Sequence, residues 1–436
     1  MILVYTSQQT SRLTYVFKQL FEEILGIDVG FTNTVDAFVA HEGPKFNYAA
    51  SPFGESFFVE AHPLLFEHGI NPQEITFSKW NGLPTFFQTS KKSKLPFDIF
   101  AASFYLLTRY EEHLPYVKND QGQFDSQQSS AVQGGFLALP LVDFWAEALY
   151  VTLQEAFPSM PPLKKHKIPM THLFQVNNPF RFKHKSILGT LIESAGLLWN
   201  LNLKSLLQQL LVVTRVRKDP HEEFPGLLKD FSDGSAAPVF FFSYSHSSDD
   251  PFGISPFNKR YQSFVKHVAD YAKTFLLIQA PSYPLTADVS EQKEGLVQLI
   301  HRTINAVRIK NGLRHHSTDY EALVEQKFTL DYSMGYATEV GFRASTAVPF
   351  YYFNLKEEYQ TPLQIVPVVA STTALQKYTA TAFSKQLSSI QEQEYLTAAQ
   401  LFCACTLEDL NFNNIKKQSD QGILNYFSGN ATIESR

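Results

Sequence analysis

The residues best equipped for chemistry crowd into one stretch, 314–353. It carries His315 and His316, Asp331, Glu339 and Arg343, with Tyr332 and Tyr336 among them. Imidazoles and carboxylates can move protons or hold metal ions, and an arginine can hold an anion. Gly335 and Gly341 mark turns, and apolar sequence bounds the segment. Sites are often built this way, on loops held by a scaffold. The plainer expectation is that Asp331 or Glu339 pairs with Arg343, and that His315 and His316 are surface histidines at a helix start. A second group, His246, Asp249 and Asp250, follows the apolar run 238–244 in the loop SHSSDDPFG. One imidazole and two carboxylates can bind a metal through nitrogen and oxygen. A solvated turn of Ser, Asp, Pro and Gly is the plainer alternative.

Several other chemistries are absent from the sequence. There is no Gly-rich phosphate loop, no Cys-x-x-Cys pair and no Gly-x-Ser-x-Gly elbow. A formal charge of -5 leaves no basic footprint for nucleic acid. Cys403 and Cys405 share one face of a strand candidate with no other ligands near, which suits two buried thiols. Glu111, Glu112 and His113 read as a charge cluster at a helix end. Arg215, Arg217 and Lys218 read as a basic helix end, favoured there by the dipole.

The elements that must position these groups fall into two parts. At 436 residues, 44% of them hydrophobic, the chain can bury more than one core. In the first part, 1–157, strand candidates lie at 2–5, 37–40, 46–49 and 56–60. Apolar residues at helical spacing from Leu13 to Ile24 predict a helix stopped by Gly26. Two further helices are predicted over 97–112 and 143–157. The segment 158–169, PSMPPLKKHKIP, reads as a Pro/Lys-rich linker. In the second part, 170–436, strand candidates at 171–176, 239–244, 274–280, 348–354, 363–370 and 401–406 alternate with helical patterns. Those patterns lie over 187–213, 260–273, 289–309, 318–326 and 373–394, with Thr318 placed to cap the fourth and Glu321 three residues on. Strand–helix alternation predicts a parallel α/β architecture. The excess of 39 Phe and 20 Tyr fills cores and also supplies stacking surfaces for sugar rings. The N-terminus has no secretory pattern, and the apolar stretch 187–213 is interrupted by Glu193, Asn200, Asn202 and Lys204. Cytoplasmic location without a membrane span is the expectation.

Four motifs carry a family resemblance. They are DYSMGYATEVGFRASTAVPF (331–350), APSYP (280–284), VNNPFRF (176–182) and PFDIFAASFYLLTRYEEHLP (96–115). Together they resemble the cytoplasmic bacterial, two-domain branch of the polysaccharide deacetylases, the NodB-homology proteins, over nearly the whole chain. The resemblance implies a distorted, incomplete (β/α) barrel, typically of seven strands. It also implies removal of an acetyl group from a sugar amide. There a bound metal polarises the carbonyl and activates water, a carboxylate takes the proton, and a second acid protonates the leaving amine. In barrels such groups sit at the C-terminal ends of strands.

This sequence departs from that plan at the residues that matter. The resemblance places the base aspartate where this chain has Gln175 and a metal-binding aspartate where it has Asn177. A ligand histidine belongs where it has Ala280, and the late histidine where it has Thr406. Arg343 remains, and His316 corresponds to a further family histidine. A small register shift restores nothing. The nearest acids to 175–182 are Glu155 and Glu193, and the nearest histidines to 280 are His267 and His301. An amide does not ionise near neutral pH, and zinc needs three protein ligands.

The expectation is therefore an α/β chain with an N-terminal mixed α/β accessory domain and a C-terminal incomplete (β/α)7-type deacetylase-like barrel. Gln175, Arg343 and Thr406 would be vestigial catalytic positions, Asn177 and Ala280 lost metal positions, and His316 a remnant. Such a pseudoenzyme would need no cofactor. It would bind a glycan, a glycan precursor or an active deacetylase relative, with Tyr283, Tyr332 and Tyr336 as candidate ligand-binding residues. The alternative is an active carbohydrate hydrolase holding zinc or another divalent metal at a relocated site built from His246, Asp249, Asp250, His316 and Asp331. A purely structural partner protein, marked by a large exposed apolar patch, is a third expectation.

Overall fold

The computed structural model describes residues 1–163, 170–183, 187–199, 201–219, 237–245, 254–279, 285, 287–371, 374 and 400–406. The chain opens with strand β1 (Ile2–Tyr5), the centre of a four-stranded parallel sheet ordered β2-β1-β3-β4. Its other members are β2 (Val29–Thr32), β3 (Lys45–Ala49) and β4 (Phe58–Glu60). Helix α1 (Ser11–Lys18) starts at Thr10, whose side chain accepts from Leu13 N, and continues as a π turn over Gln19–Ile24. Its apolar face meets α3 (Ile99–Leu107), where the Phe17 and Phe100 rings stack with centroids 3.8 Å apart. Much of the aromatic excess is used this way, as core.

Residues 37–40, predicted as a strand, are instead part of a short helix, α2 (Val35–Ala40), of which only Phe38 is buried. The alternation there reflected one anchoring ring on a surface helix. A hairpin of β5 (Ser78–Trp80) and β6 (Leu83–Thr85), helix α4 (Ser130–Gln133) and helix α5 (Leu141–Ala156) complete this part.

The second part is built on a curled sheet of nine strands. They are β7 (Met170–Val176), β8 (Val239–Phe242), β9 (Lys273–Ile278), β10 (Ala306–Ile309), β11 (Leu330–Met334), β12 (Phe350–Asn354), β13 (Tyr359–Pro367), β14 (Ala370–Ser371) and β15 (Leu401–Thr406). The order is β12-β13-β11-β10-β9-β8-β7-β15-β14, parallel throughout except for β12 against β13. β13 pairs with β11, and β14, three residues later, pairs with β15 on the far side. Between them Val368 N donates to Met334 O and Val369 N to Phe402 O. The stretch 359–371 therefore joins both flanks of the sheet.

Helices α6 (Ile187–Trp199), α7 (Leu203–Val213), α8 (Lys259–Tyr271), α9 (Ala287–Ile300) and α10 (His316–Glu325) lie between strands. Several depart from expectation. The single helix predicted over 187–213 is two, broken at Leu201 (φ +53°), and Asn202 caps the second by accepting from Ser205 N. The helix predicted to 309 stops at Ile300, and its last four predicted residues are strand β10. Residues 330–334, which no strand candidate covered, are strand β11. Helix α10 starts at His316, before Thr318, and the Asp319 carboxylate accepts from Arg314 N and His315 N to hold that start. The helix predicted over 373–394 lies outside the described residues.

Strand alternation sorts the sheet's two faces. Leu173, Phe241, Leu277, Ala306, Tyr332 and Phe402 form an inner apolar cluster. Their outward neighbours, such as Phe174, Phe240, Leu276 and Val307, join the larger core. That larger core does not stop at residue 157; it runs from Ile2 to Cys405. Polar ties cross between the parts as well. Arg12 forms a buried ion pair with Glu358, and Tyr15 Oη donates to Tyr351 O. Asp143 accepts from Thr346 Oγ1 and Ala347 N. Cys403 and Cys405 are buried and form no disulfide. Among the described residues no helix is long and apolar enough to cross a membrane.

Candidate functional site

Two polar places lie inside this fold. The first is the inner mouth of the curled sheet. Gln175 on β7 lies beside Thr406 on β15, paired in register. Both line a cavity of about 20 Å³ together with Arg308, Asn311, Ser333, Tyr336 and Ser371. Just past β7, Asn177 accepts a hydrogen bond from Gln279 Nε2, which also donates to Ser243 Oγ at 3.0 Å. Gln175 and Asn177, expected in one motif, and Thr406, expected much later in the chain, thus come to one end of the sheet.

Arg308 is the surprise. Ala306, two residues earlier, belongs to the inner cluster, so alternation turns Arg308 inward too. It is 6% exposed. One Nη donates to Tyr332 O, and its Nε has no hydrogen-bond partner. Burial pulls its pKa down to about 10, and the opposing attraction of Asp331 does not offset that. At neutral pH it remains a cation. The helix predicted over 289–309 hid it. The short apolar alternation A-V-R-I after Asn305 was the signal for a strand.

Among its described residues, this mouth does not fit the metal that the resemblance implies. Its described side chains are amides, hydroxyls and a guanidinium, and a resident cation would face Arg308. Among the described residues no group of three or more His, Cys, Asp or Glu side chains is placed to hold an ion. Ala280 and Tyr283, and the alternative set His246, Asp249 and Asp250, lie outside the described residues.

The second place surrounds Arg343. Its partner is neither Asp331 nor Glu339 but Glu112, from the first part of the chain. Arg343 Nε donates to Glu112 Oε1 at 2.9 Å and Nη2 to Oε2 at 2.7 Å. Arg109, in left-handed backbone at φ +51°, donates to Glu112 at 2.9 Å, to Glu111 at 2.7 Å and to Tyr336 Oη at 3.1 Å. Glu111 Oε2 also accepts from Ser130 N and Oγ. Two guanidiniums thus face two carboxylates. Burial alone would raise the Glu112 pKa, but Arg343 and Arg109 outweigh it and hold the carboxyl well below its usual range.

His316 is buried beside this cluster, its ring 5.0 Å from that of His113. Burial lowers His113 to about 4 and His316 well below its ordinary value, so both are neutral. Neither nitrogen of His316 has a hydrogen-bond partner. It is a core histidine rather than the surface residue expected. Asp331 points to the helix side of the sheet, where it accepts from Tyr320 Oη and from Ser333 N and Oγ. Burial raises it to about 6. Neither residue joins the inner mouth.

The Gly-Phe-Arg signature now has a physical account. A Cβ on Gly341 would lie 2.4 Å from Leu137 O, at φ +144°, so only glycine fits. Phe342 N donates to that same Leu137 O at 2.8 Å. Arg343 pairs with Glu112. All three residues bind the second part of the chain to the first. The tyrosines divide. Tyr332 packs in the inner cluster against Phe241 and Phe402, and Tyr336 lines the cavity while accepting from Arg109.

Residues 2–158 match a family of unknown function, DUF7033. A search of curated proteins finds no match. Among solved structures, the chain is similar to a protein described as a polysaccharide deacetylase from Mycobacterium smegmatis. The identity is 11% and the TM-score 0.35, over 63% of this chain and 87% of that one. A likeness at that level carries no residue correspondence.

Proposed function

We propose that the chain is a polysaccharide deacetylase-like protein that has lost metal-dependent hydrolysis and acts by binding a glycan, a glycan precursor or an active relative. In this reading residues 170–436 form the incomplete (β/α)7-type barrel. Residues 1–157 are an accessory unit that braces it, and 158–169 joins them. One observation carries the reading. Gln175 and Thr406 line the inner mouth with Arg308, and Asn177 follows just past β7, where hydrolysis would need carboxylates and imidazoles. Among the described residues, an amide in the base position and a guanidinium neighbour leave neither a proton acceptor nor a seat for a cation. Metal analysis of the purified protein and a deacetylase assay on N-acetylated sugars test it together. Stoichiometric zinc with turnover ends this reading and favours the relocated site of His246, Asp249 and Asp250.

A protein partner has separate support. Helices α6 and α7 expose Leu188, Leu191, Leu198, Trp199, Leu203 and Leu207. Exposed apolar side chains on two neighbouring helices support an interaction surface there.

A further inference from the structure

We propose that the inner-mouth cavity is a carboxylate-binding subsite, with the Arg308 guanidinium as its anchor and the Gln175 amide beside it. The proposal rests on the reading of this mouth as a binding site and names the group it takes. Three observations lead to it. First, no described carboxylate contacts the guanidinium; Asp331 attracts it without an ion pair. Among the described residues, Arg12, Arg109 and Arg343 are also buried and each pairs with a carboxylate, whereas Arg308 donates to the Tyr332 carbonyl. The neighbouring Asp331 is occupied by Tyr320 and Ser333. A buried arginine with no carboxylate in contact is costly, because it has given up water and gained no paired anion.

Second, the arginine lines a cavity. Arg308 Nε and Gln175 Oε1 both lack hydrogen-bond partners, and both residues line the same space. At about 20 Å³ it admits a group of a few atoms and not a whole sugar ring. Third, the geometry of the missing partner follows from the guanidinium. Its planar fork matches a planar carboxylate, which accepts at Nε and at a neighbouring Nη together. The Gln175 oxygen then accepts from a hydroxyl next to that carboxylate. The class of ligand is a small hydroxy acid, or the acid group of a sugar residue whose ring stays outside. Where the resemblance implied a bound cation, this chain supplies a cation of its own and takes an anion.

The test uses the full-length protein and isothermal calorimetry at constant ionic strength, with sodium glucuronate, sodium acetate and inorganic phosphate as probes. Wild type should bind glucuronate saturably, and Arg308→Met should weaken that binding at least about tenfold, as expected for loss of a charge-assisted contact. Arg308→Lys keeps the charge without the fork and should fall between them. Glucuronate binding tighter than acetate supports a sugar acid, and equal binding supports a free carboxylate. The proposal is overturned if wild type binds neither carboxylate, if Arg308→Met binds as tightly as wild type, or if phosphate binds more tightly than both. Should Arg308→Met fail to fold, Gln175→Leu provides the second arm, with loss of the preference for glucuronate over acetate. None of these outcomes depends on the zinc and deacetylase assays, so subsite and pseudoenzyme can fail separately.

Discussion

Arg343 and Arg308 are both buried arginines, 3% and 6% exposed, and they live under opposite rules. Arg343 sits in a closed account of charge, in which two carboxylates answer two guanidiniums and every carboxylate oxygen described there is met by a donor. Arg308 faces a cavity with its Nε unmet. The difference separates charge that builds the fold from charge held ready for something else. The residue singled out by the family signature turns out to be architectural. The one inside a helix pattern is the better candidate for recognition.

The largest expected effect tests the architectural side. Glu112→Gln leaves Arg109 and Arg343 buried without their shared anion and should cost about 3–5 kcal/mol in urea unfolding. Next comes a carboxyl that burial keeps protonated rather than paired. Asp143 is raised to about 7 by burial, against an ordinary value near 3.8, despite the hydrogen bonds of Thr346 and Ala347. Between those values the unfolded chain releases the proton while the folded protein keeps it, so stability falls as pH rises. Below 3.8 that contribution is fully present. Relative to Asp143→Asn, wild type should lose about 1.4 kcal/mol per pH unit across most of that window. A flat difference between the two proteins would mean that the carboxyl is ionised in the fold. Glu112 runs the other way: its stabilisation holds above its ordinary pKa of 4.5 and is lost as pH falls further. The smallest effect is the sharpest for the comparison. Arg308→Met should change stability by no more than about 1 kcal/mol, or raise it, because a buried charge with no carboxylate in contact is replaced by an apolar chain of similar length. If it costs as much as Glu112→Gln, the contrast between the two arginines is broken.

How much of this was legible in the sequence depends on distance along the chain. The apolar runs at 171–176, 239–244, 274–280 and 401–406 announced their strands, because a strand covered on both faces reads as continuous hydrophobic sequence. Helices α5 and α8 were legible from their periodicity, and the amides at 175 and 177 from their place in a motif. β10 was not. Four residues that follow a helix after a short turn carry too little periodicity to stand apart, and with β10 went the inward direction of Arg308. The Glu112 pair was also out of reach, because the partners are 231 residues apart and local spacing holds no information about them. Asp331 and Glu339 were the nearer acids, and proximity in sequence misled.

The stretch 359–371 serves both flanks of the curled sheet with a single run of backbone. It acts as a hoop, and the number of residues in it sets the girth of the mouth. Lengthening it by one residue between Pro367 and Ala370 would reverse which side chains look inward, turning Val368 away and swinging its neighbour into the bore. Whatever the mouth accepts is thus gauged by a count of amino acids some sixty positions beyond the arginine that would greet it.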